Sequence, residues 1–166
     1  MSSKLDKKII DTPVVVVGAG IAGLCTSYYL SKNKINHFII ERGEVGNTWI
    51  NERWDNFFLV NPNWAIKIPE FGFGTKFFPE KNPDGFLSKM QTVDLLKSYS
   101  KYIGAKIYEN ESVNSIESLW NKYKLTTSKR VVFSDNVVLC TGAFGNPSIP
   151  RMSSKINKNI LQIHSA

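Results

Sequence analysis

The sequence predicts an α/β domain built on a parallel sheet. Residues 14–17 are four consecutive valines between Pro13 and Gly18, the pattern of a strand buried on both faces. A helical stretch follows over Ile21–Lys32, and His37, Phe38, Ile39, Ile40 and Glu41 then form a second short strand. Together these make a βαβ unit.

Composition sets the outer limits. The chain has 166 residues, 42% hydrophobic and 21% charged, enough apolar material for one globular domain. Its formal net charge is +7, but the lysines are scattered singly or in pairs rather than gathered on one aromatic-studded stripe. This predicts a Lys-rich surface with no nucleic-acid role, and the charge favours an anionic cofactor. The only cysteines, Cys25 and Cys140, lie inside apolar patterns without CxxC spacing, so they are expected to be buried thiols in a reducing, cytoplasmic setting. Gly18, Gly20 and Gly23 interrupt the apolar residues 14–30, which fit neither a signal peptide nor a membrane span.

Residues 1–12 are polar and Lys-rich apart from Ile9 and Ile10, and are expected to form a frayed lead-in to a domain over 13–166. In the first helix, Ala22, Cys25 and Tyr29, with Leu24 and Tyr28, recur at helical spacing, and Asn33 marks a stop. Residues 42–84 are rich in Gly, Pro, Asn and aromatic side chains, a loop long enough to imply a functional cause. Thr92 is a candidate cap for a helix carrying Val93, Leu96, Tyr99 and Ile103, with Gly104 at its end. Strand-like segments follow at 106–108, 113–119, 123–127 and 130–133, read as a parallel strand and then a small antiparallel meander covering part of one sheet face. A last apolar strand, 137–140, runs into Thr141 and Gly142.

The chemistry begins at Gly18, Ala19, Gly20, Ile21, Ala22 and Gly23, a GxGxxG turn that follows a strand and opens a helix. Gly18 permits the tight turn, Gly20 lets the backbone approach a pyrophosphate, and Gly23 permits close helix packing. The helix N-terminus offers N–H groups to the anion. Glu41, at the end of the second strand, has the spacing of a ribose-binding acid. A carboxylate there accepts ribose hydroxyls and repels a 2′-phosphate, so FAD or NAD fits and NADP does not.

Longer segments narrow the choice. ERGEVGNTW (41–49), ERWDNFFLVNPNW (52–64), PDGFL (83–87) and LCTGAFGNPSIP (139–150) resemble the flavin-containing monooxygenase superfamily, in its bacterial and archaeal branch. The resemblance implies a Rossmann-like FAD-binding domain, with a parallel sheet plus a small antiparallel β-meander. It implies that Arg42, just after the ribose acid Glu41, is among the cofactor-binding residues, that Thr48 and Trp49 flank the flavin, that Val113 offers backbone groups to the adenine, and that Thr141 and Gly142 pass close to the FAD. Asn61 and Asn63 fall near an active-site Asn of related enzymes, with a turn-forming role equally open. His164 and Ser165 are similar to the pair closing the FxGxxxHxxx(Y/F) fingerprint, although Lys158 and Ile160 occupy its Phe and Gly positions.

The implied reaction is hydride transfer from NADPH to FAD, then oxygen activation and insertion into a small-molecule substrate. The family's second GxGxxG, for NADPH, has no counterpart here. Gly72 and Gly74 are followed by Phe77 in place of the third Gly and do not follow a strand. The expectation is therefore a partial FAD-binding domain that works with a separately encoded nicotinamide-domain half, or else a non-catalytic FAD-binding module or truncated remnant. A disulfide-reductase chemistry would need a redox cysteine pair, which Cys25 and Cys140 do not form. His37 and His164 are too isolated to ligate a metal, and no catalytic residue is assigned.

Overall fold

The computed structural model describes residues 7–143 and 148–163. Six strands form one sheet: β1 (Lys8–Val17), β2 (His37–Ile40), β3 (Ile107–Tyr108), β4 (Val113–Ser118), β5 (Tyr123–Thr127) and β6 (Arg130–Leu139). Their spatial order is β3-β2-β1-β6-β5-β4. Pairing is parallel from β3 through β6 and antiparallel among β6, β5 and β4. The predicted Rossmann-like parallel sheet with its small antiparallel meander is what the chain forms.

Val14 and Val16 join one core cluster, and Val15 and Val17 join another, because successive side chains on a strand alternate faces. The first face packs against helices α1 (Ile21–Lys32) and α3 (Lys89–Tyr102) and the aromatic loop, with Leu24, Leu96, Tyr99, Phe71 and Leu87 at its centre. On the opposite face, Leu125 and Val132 of the meander share a cluster with Val15, Val17, Phe38 and Ile40. The meander is thus hydrogen-bonded into the sheet while its apolar side chains cover one face.

Several sequence expectations need correction. β1 starts at Lys8, not at residue 14: Lys8, Ile9, Ile10, Asp11 and Thr12 pair with Arg130 to Ser134 in parallel register. These residues gain their order from a distant partner, which local polarity does not reveal. For the same reason, segments 130–133 and 137–140 are one strand, β6, with antiparallel β5 on one side and parallel β1 on the other. The cap of α3 is Ser88 rather than Thr92. Ser88 Oγ accepts the Gln91 amide at 3.2 Å, Gln91 Oε1 accepts the Ser88 amide at 2.9 Å, and Thr92 is buried inside the helix.

The inner side of α1 also differs from the expected apolar positions. Gly23, Leu24 and Ser27 are buried, whereas Ala22 and Tyr29 are exposed. Small residues let this helix approach the sheet closely, which overrides apolar periodicity.

Candidate functional site

At the C-terminal ends of β1, β2 and β6 the chain encloses an open cleft of about 800 Å³. Sites for small molecules commonly occupy about 300–1,000 Å³ and lie at such strand ends. The glycine turn forms one wall. Its Gly18 donates to Ile40 O at 2.8 Å and adopts φ +106°, in the left-handed region, where a Cβ would meet Cys140 O at 2.4 Å. A Cβ on Gly23 would stand 1.9 Å from Gly18 O. Gly20 is the opposite case: a Cβ there would meet nothing within 4 Å, so its outer side is open space. No side chain caps α1 and no acidic residue lies in its first turn, leaving its positive end toward this space.

Glu41 follows β2 directly and is only 8% exposed. Its Oε2 accepts the Ala19 amide at 2.7 Å and its Oε1 accepts the Gly43 amide at 2.9 Å. Its backbone is held too: Glu41 N donates to Tyr108 O at 2.9 Å, and Glu111 N donates to Glu41 O at 2.8 Å. Each carboxylate oxygen retains acceptor capacity after one N–H bond, which is the property a ribose diol requires.

The cleft wall includes Gly18, Gly20, Ile21, Ala22, Glu41, Arg42, Thr48, Trp49, Val113, Thr141 and Gly142. Of the predicted site residues, Ala19 and Gly23 do not line it. Ala19 is buried and offers its amide to Glu41, while Gly23 packs beneath the turn. Arg42 pairs with Glu52. Thr48 and Trp49 sit on the short helix α2 (Asn47–Asn51), whose N-cap Gly46 adopts φ +80°.

Sequence reasoning passed over Arg53, Glu111 and Ser112, which also line the cleft. The Arg53 guanidinium lies 5.4 Å from the Trp49 ring centre and 5.2 Å from that of Phe57. Its place next to Trp54 in the quoted segment was the available signal. Cys140, expected as a buried thiol, is only half-buried and is on the wall as well.

Other candidates lie elsewhere. Asn63 is fully buried, its amide donates to Gly85 O at 2.8 Å and its Nδ2 to Asn82 O at 2.9 Å, so it holds a turn away from the cleft wall; Asn61 is exposed. His37 Nδ1 donates to Ile35 O at 2.8 Å, which leaves Nε2 to accept from Ser27 Oγ at 2.7 Å, a structural tautomer. His164 and Ser165, and residues 144–147 of the last quoted segment, lie outside the described residues. Both cysteines are free, and burial pushes the Cys25 thiol pKa up. Among the described residues no group of three or more His, Cys, Asp or Glu is set to hold a metal, and no helix is long and apolar enough to cross a membrane.

Comparison with known proteins agrees with this geometry. A family model described as pyridine nucleotide-disulphide oxidoreductase matches residues 15–165. An uncharacterized CzcO-like oxidoreductase of Geobacillus kaustophilus is 30% identical over 154 residues, covering 92% of this chain and 42% of the relative. The chain therefore spans less than half the length of that relative. Among solved structures, a flavin-containing monooxygenase of Stenotrophomonas maltophilia superposes with TM-score 0.73 at 20% identity, over 86% of this chain and 42% of that one. The bacillithiol disulfide reductase of Staphylococcus aureus also gives TM-score 0.73 at 20% identity, over 82% and 40%. OTEMO, solved in complex with FAD and NADP, gives 0.69 at 20% identity, over 87% and 28%. At these identities the structures share the fold alone. By the match over residues 15–165, the chain belongs to the pyridine nucleotide-disulphide oxidoreductase family.

Proposed function

We propose that the cleft binds FAD and that the chain serves as the FAD-binding portion of an NADPH-dependent flavoprotein monooxygenase acting on a small-molecule substrate. The observation that carries this reading is Glu41. It is a buried, backbone-anchored carboxylate beside a glycine turn whose outer side is open and whose helix end is uncapped. These residues fit an unphosphorylated adenine dinucleotide: Gly20 admits the pyrophosphate, Glu41 takes the ribose hydroxyls, and the Ser112 and Val113 backbone faces the adenine end. Thr48, Trp49, Thr141 and Gly142 form the remaining wall, where the isoalloxazine would lie.

A bound flavin would supply hydride acceptance from NADPH and oxygen activation. The protein's part is to bind, orient and shield. NADPH would be held by a second domain, supplied by a longer protein or by a separately encoded half. A disulfide-reductase chemistry is not favoured, because among the described residues Cys25 in α1 and Cys140 beyond β6 are separate free thiols.

The test is a fluorescence titration of the purified chain with FAD, with NADP+ as competitor. Saturable FAD binding that resists NADP+ and is weakened at least about tenfold in Glu41→Gln is expected, since bonds to a charged acceptor contribute about 1.5–3 kcal/mol. Absence of FAD binding, or preference for NADP+, would sink the proposal. Adding the nicotinamide domain and following NADPH oxidation with oxygen then tests turnover.

A further inference from the structure

Glu111 is 1% exposed and lies at the junction of three elements. Its Oε1 accepts Arg130 Nε at 2.7 Å and the Thr127 hydroxyl at 2.5 Å, and Arg130 Nη2 stands 2.7 Å from Oε2 without hydrogen-bond direction. Thr127 Oγ1 in turn accepts the amides of Arg130 at 2.8 Å and Lys129 at 3.1 Å. The Arg130 guanidinium lies 3.6 Å from the centre of the Tyr108 ring, which covers the pair. The carboxylate thus ties the β5–β6 turn to the segment that follows β3.

That segment runs along the residues carrying Glu41. Tyr108 O accepts from Glu41 N, Glu111 N donates to Glu41 O, and Asn110 N donates to Gly43 O at 2.7 Å. Beyond Glu111 come Ser112 and Val113 on the cleft wall. Ser112 and Ser128 exchange hydrogen bonds, from Ser112 N to Ser128 Oγ at 3.2 Å and from Ser128 N to Ser112 O at 2.9 Å.

We propose that Glu111, acting through Arg130 and Thr127, is a positioning residue that fixes the adenine-recognising wall of the cleft against Glu41. This rests on the reading that the cleft takes an adenine dinucleotide. A buried carboxylate ion-paired with an arginine cannot shift without leaving the arginine uncompensated, so the loop at 111–113 is held in place before any ligand arrives.

The experiment measures ADP binding by calorimetry and ADP-induced amide protection by hydrogen exchange in the wild-type chain, Glu111→Gln, Arg130→Gln, the double variant and Thr127→Val. Glu111→Gln is expected to weaken ADP about tenfold, the scale of one lost charge-assisted bond. The double variant should be no worse than about twofold below Glu111→Gln, since the two residues act as one unit. At saturating ADP, protection should persist over residues 18–23 and be lost at Ser112 and Val113. Wild-type affinity in Glu111→Gln, additive losses in the double variant, or equal loss of protection at both places would overturn the proposal. Should Glu111→Gln not fold, Thr127→Val carries the same test, because it keeps the ion pair and removes the hydroxyl that links Glu111 to the Lys129 and Arg130 amides. Wild-type binding of ADP without FAD would remove the flavin reading and leave this one standing, whereas failure to bind ADP removes both.

Discussion

Gly23 and Glu70 show how single residues set local behaviour. A methyl group on Gly23 must displace the Gly18 carbonyl, which is backbone and cannot swing aside. Gly23→Ala is therefore expected to lower stability by about 1–3 kcal/mol, the scale of overpacking, and to open the glycine turn. Denaturant unfolding together with FAD titration checks both effects, and an unchanged midpoint would refute the first. Glu70, at φ +62°, accepts hydrogen bonds from Tyr28 Oη at 2.6 Å and from Tyr102 Oη, joining the aromatic loop to α1 and α3. Those bonds, that of Tyr102 first and then that of Tyr28, hold the Glu70 carboxyl below its ordinary pKa. A depressed carboxylate contributes stability above its unfolded pKa and loses it as pH falls through the folded value. The Glu70 bond raises the Tyr28 hydroxyl to about 12, so on the alkaline side the contact is present below the ordinary tyrosine range and lost as pH rises toward that value. Amide exchange of the 66–78 loop should thus quicken in acid below the usual carboxylate range and again in strong base. In Glu70→Gln the acid limb should vanish, and its persistence would exclude Glu70 as the origin.

Among the elements, α3 gives the most direct test. Ser88→Ala removes the Gln91 amide's acceptor and is expected to cost about 1 kcal/mol in thermal unfolding, whereas Thr92→Val should cost less if Ser88 alone caps the helix. The helix was legible because Val93, Leu96 and Tyr99 share one face, but the cap was misplaced because Ser88 and Thr92 are both acceptable hydroxyl residues. β1 and β2 were legible for a stronger reason, since continuous apolar runs between breakers leave few alternatives. The lower half of β1 was not, because Lys8 and Asp11 are exposed and only their pairing with Arg130 and Phe133 makes them strand. The cleft divides in the same way. The glycine turn and Glu41 carry a local spacing signal, whereas Glu111 and Arg130 come together only through folding.

At the scale of the whole molecule, one apolar surface stands out. Phe58 bridges Ser88 in antiparallel register and Leu59 N donates to Leu87 O, so Val60 falls opposite Phe86. Leu87 turns inward and is fully buried, while Phe58, Val60 and Phe86 are 55%, 82% and 47% exposed. Contiguous exposed apolar groups of this kind promote association. The isolated chain is expected to self-associate with rising concentration, and the triple change Phe58→Ser, Val60→Ser and Phe86→Ser should reduce that in sedimentation measurements without altering FAD affinity. A wild-type chain that stays monomeric at high concentration would refute this.

The pairing of Lys8 with Arg130 and of Val17 with Leu139 also bears on how the chain acquires its structure. β1 is made first, yet one of its two neighbours is β6, near the far end of the described chain. A central strand with so distant a partner closes a long loop, a slow step in folding. During synthesis β1 and β2 can dock on α1 early, but the far edge of β1 must wait with its amide and carbonyl groups unpaired. The floor of the glycine turn, where Cys140 N meets Val17 O, is completed only when that wait ends.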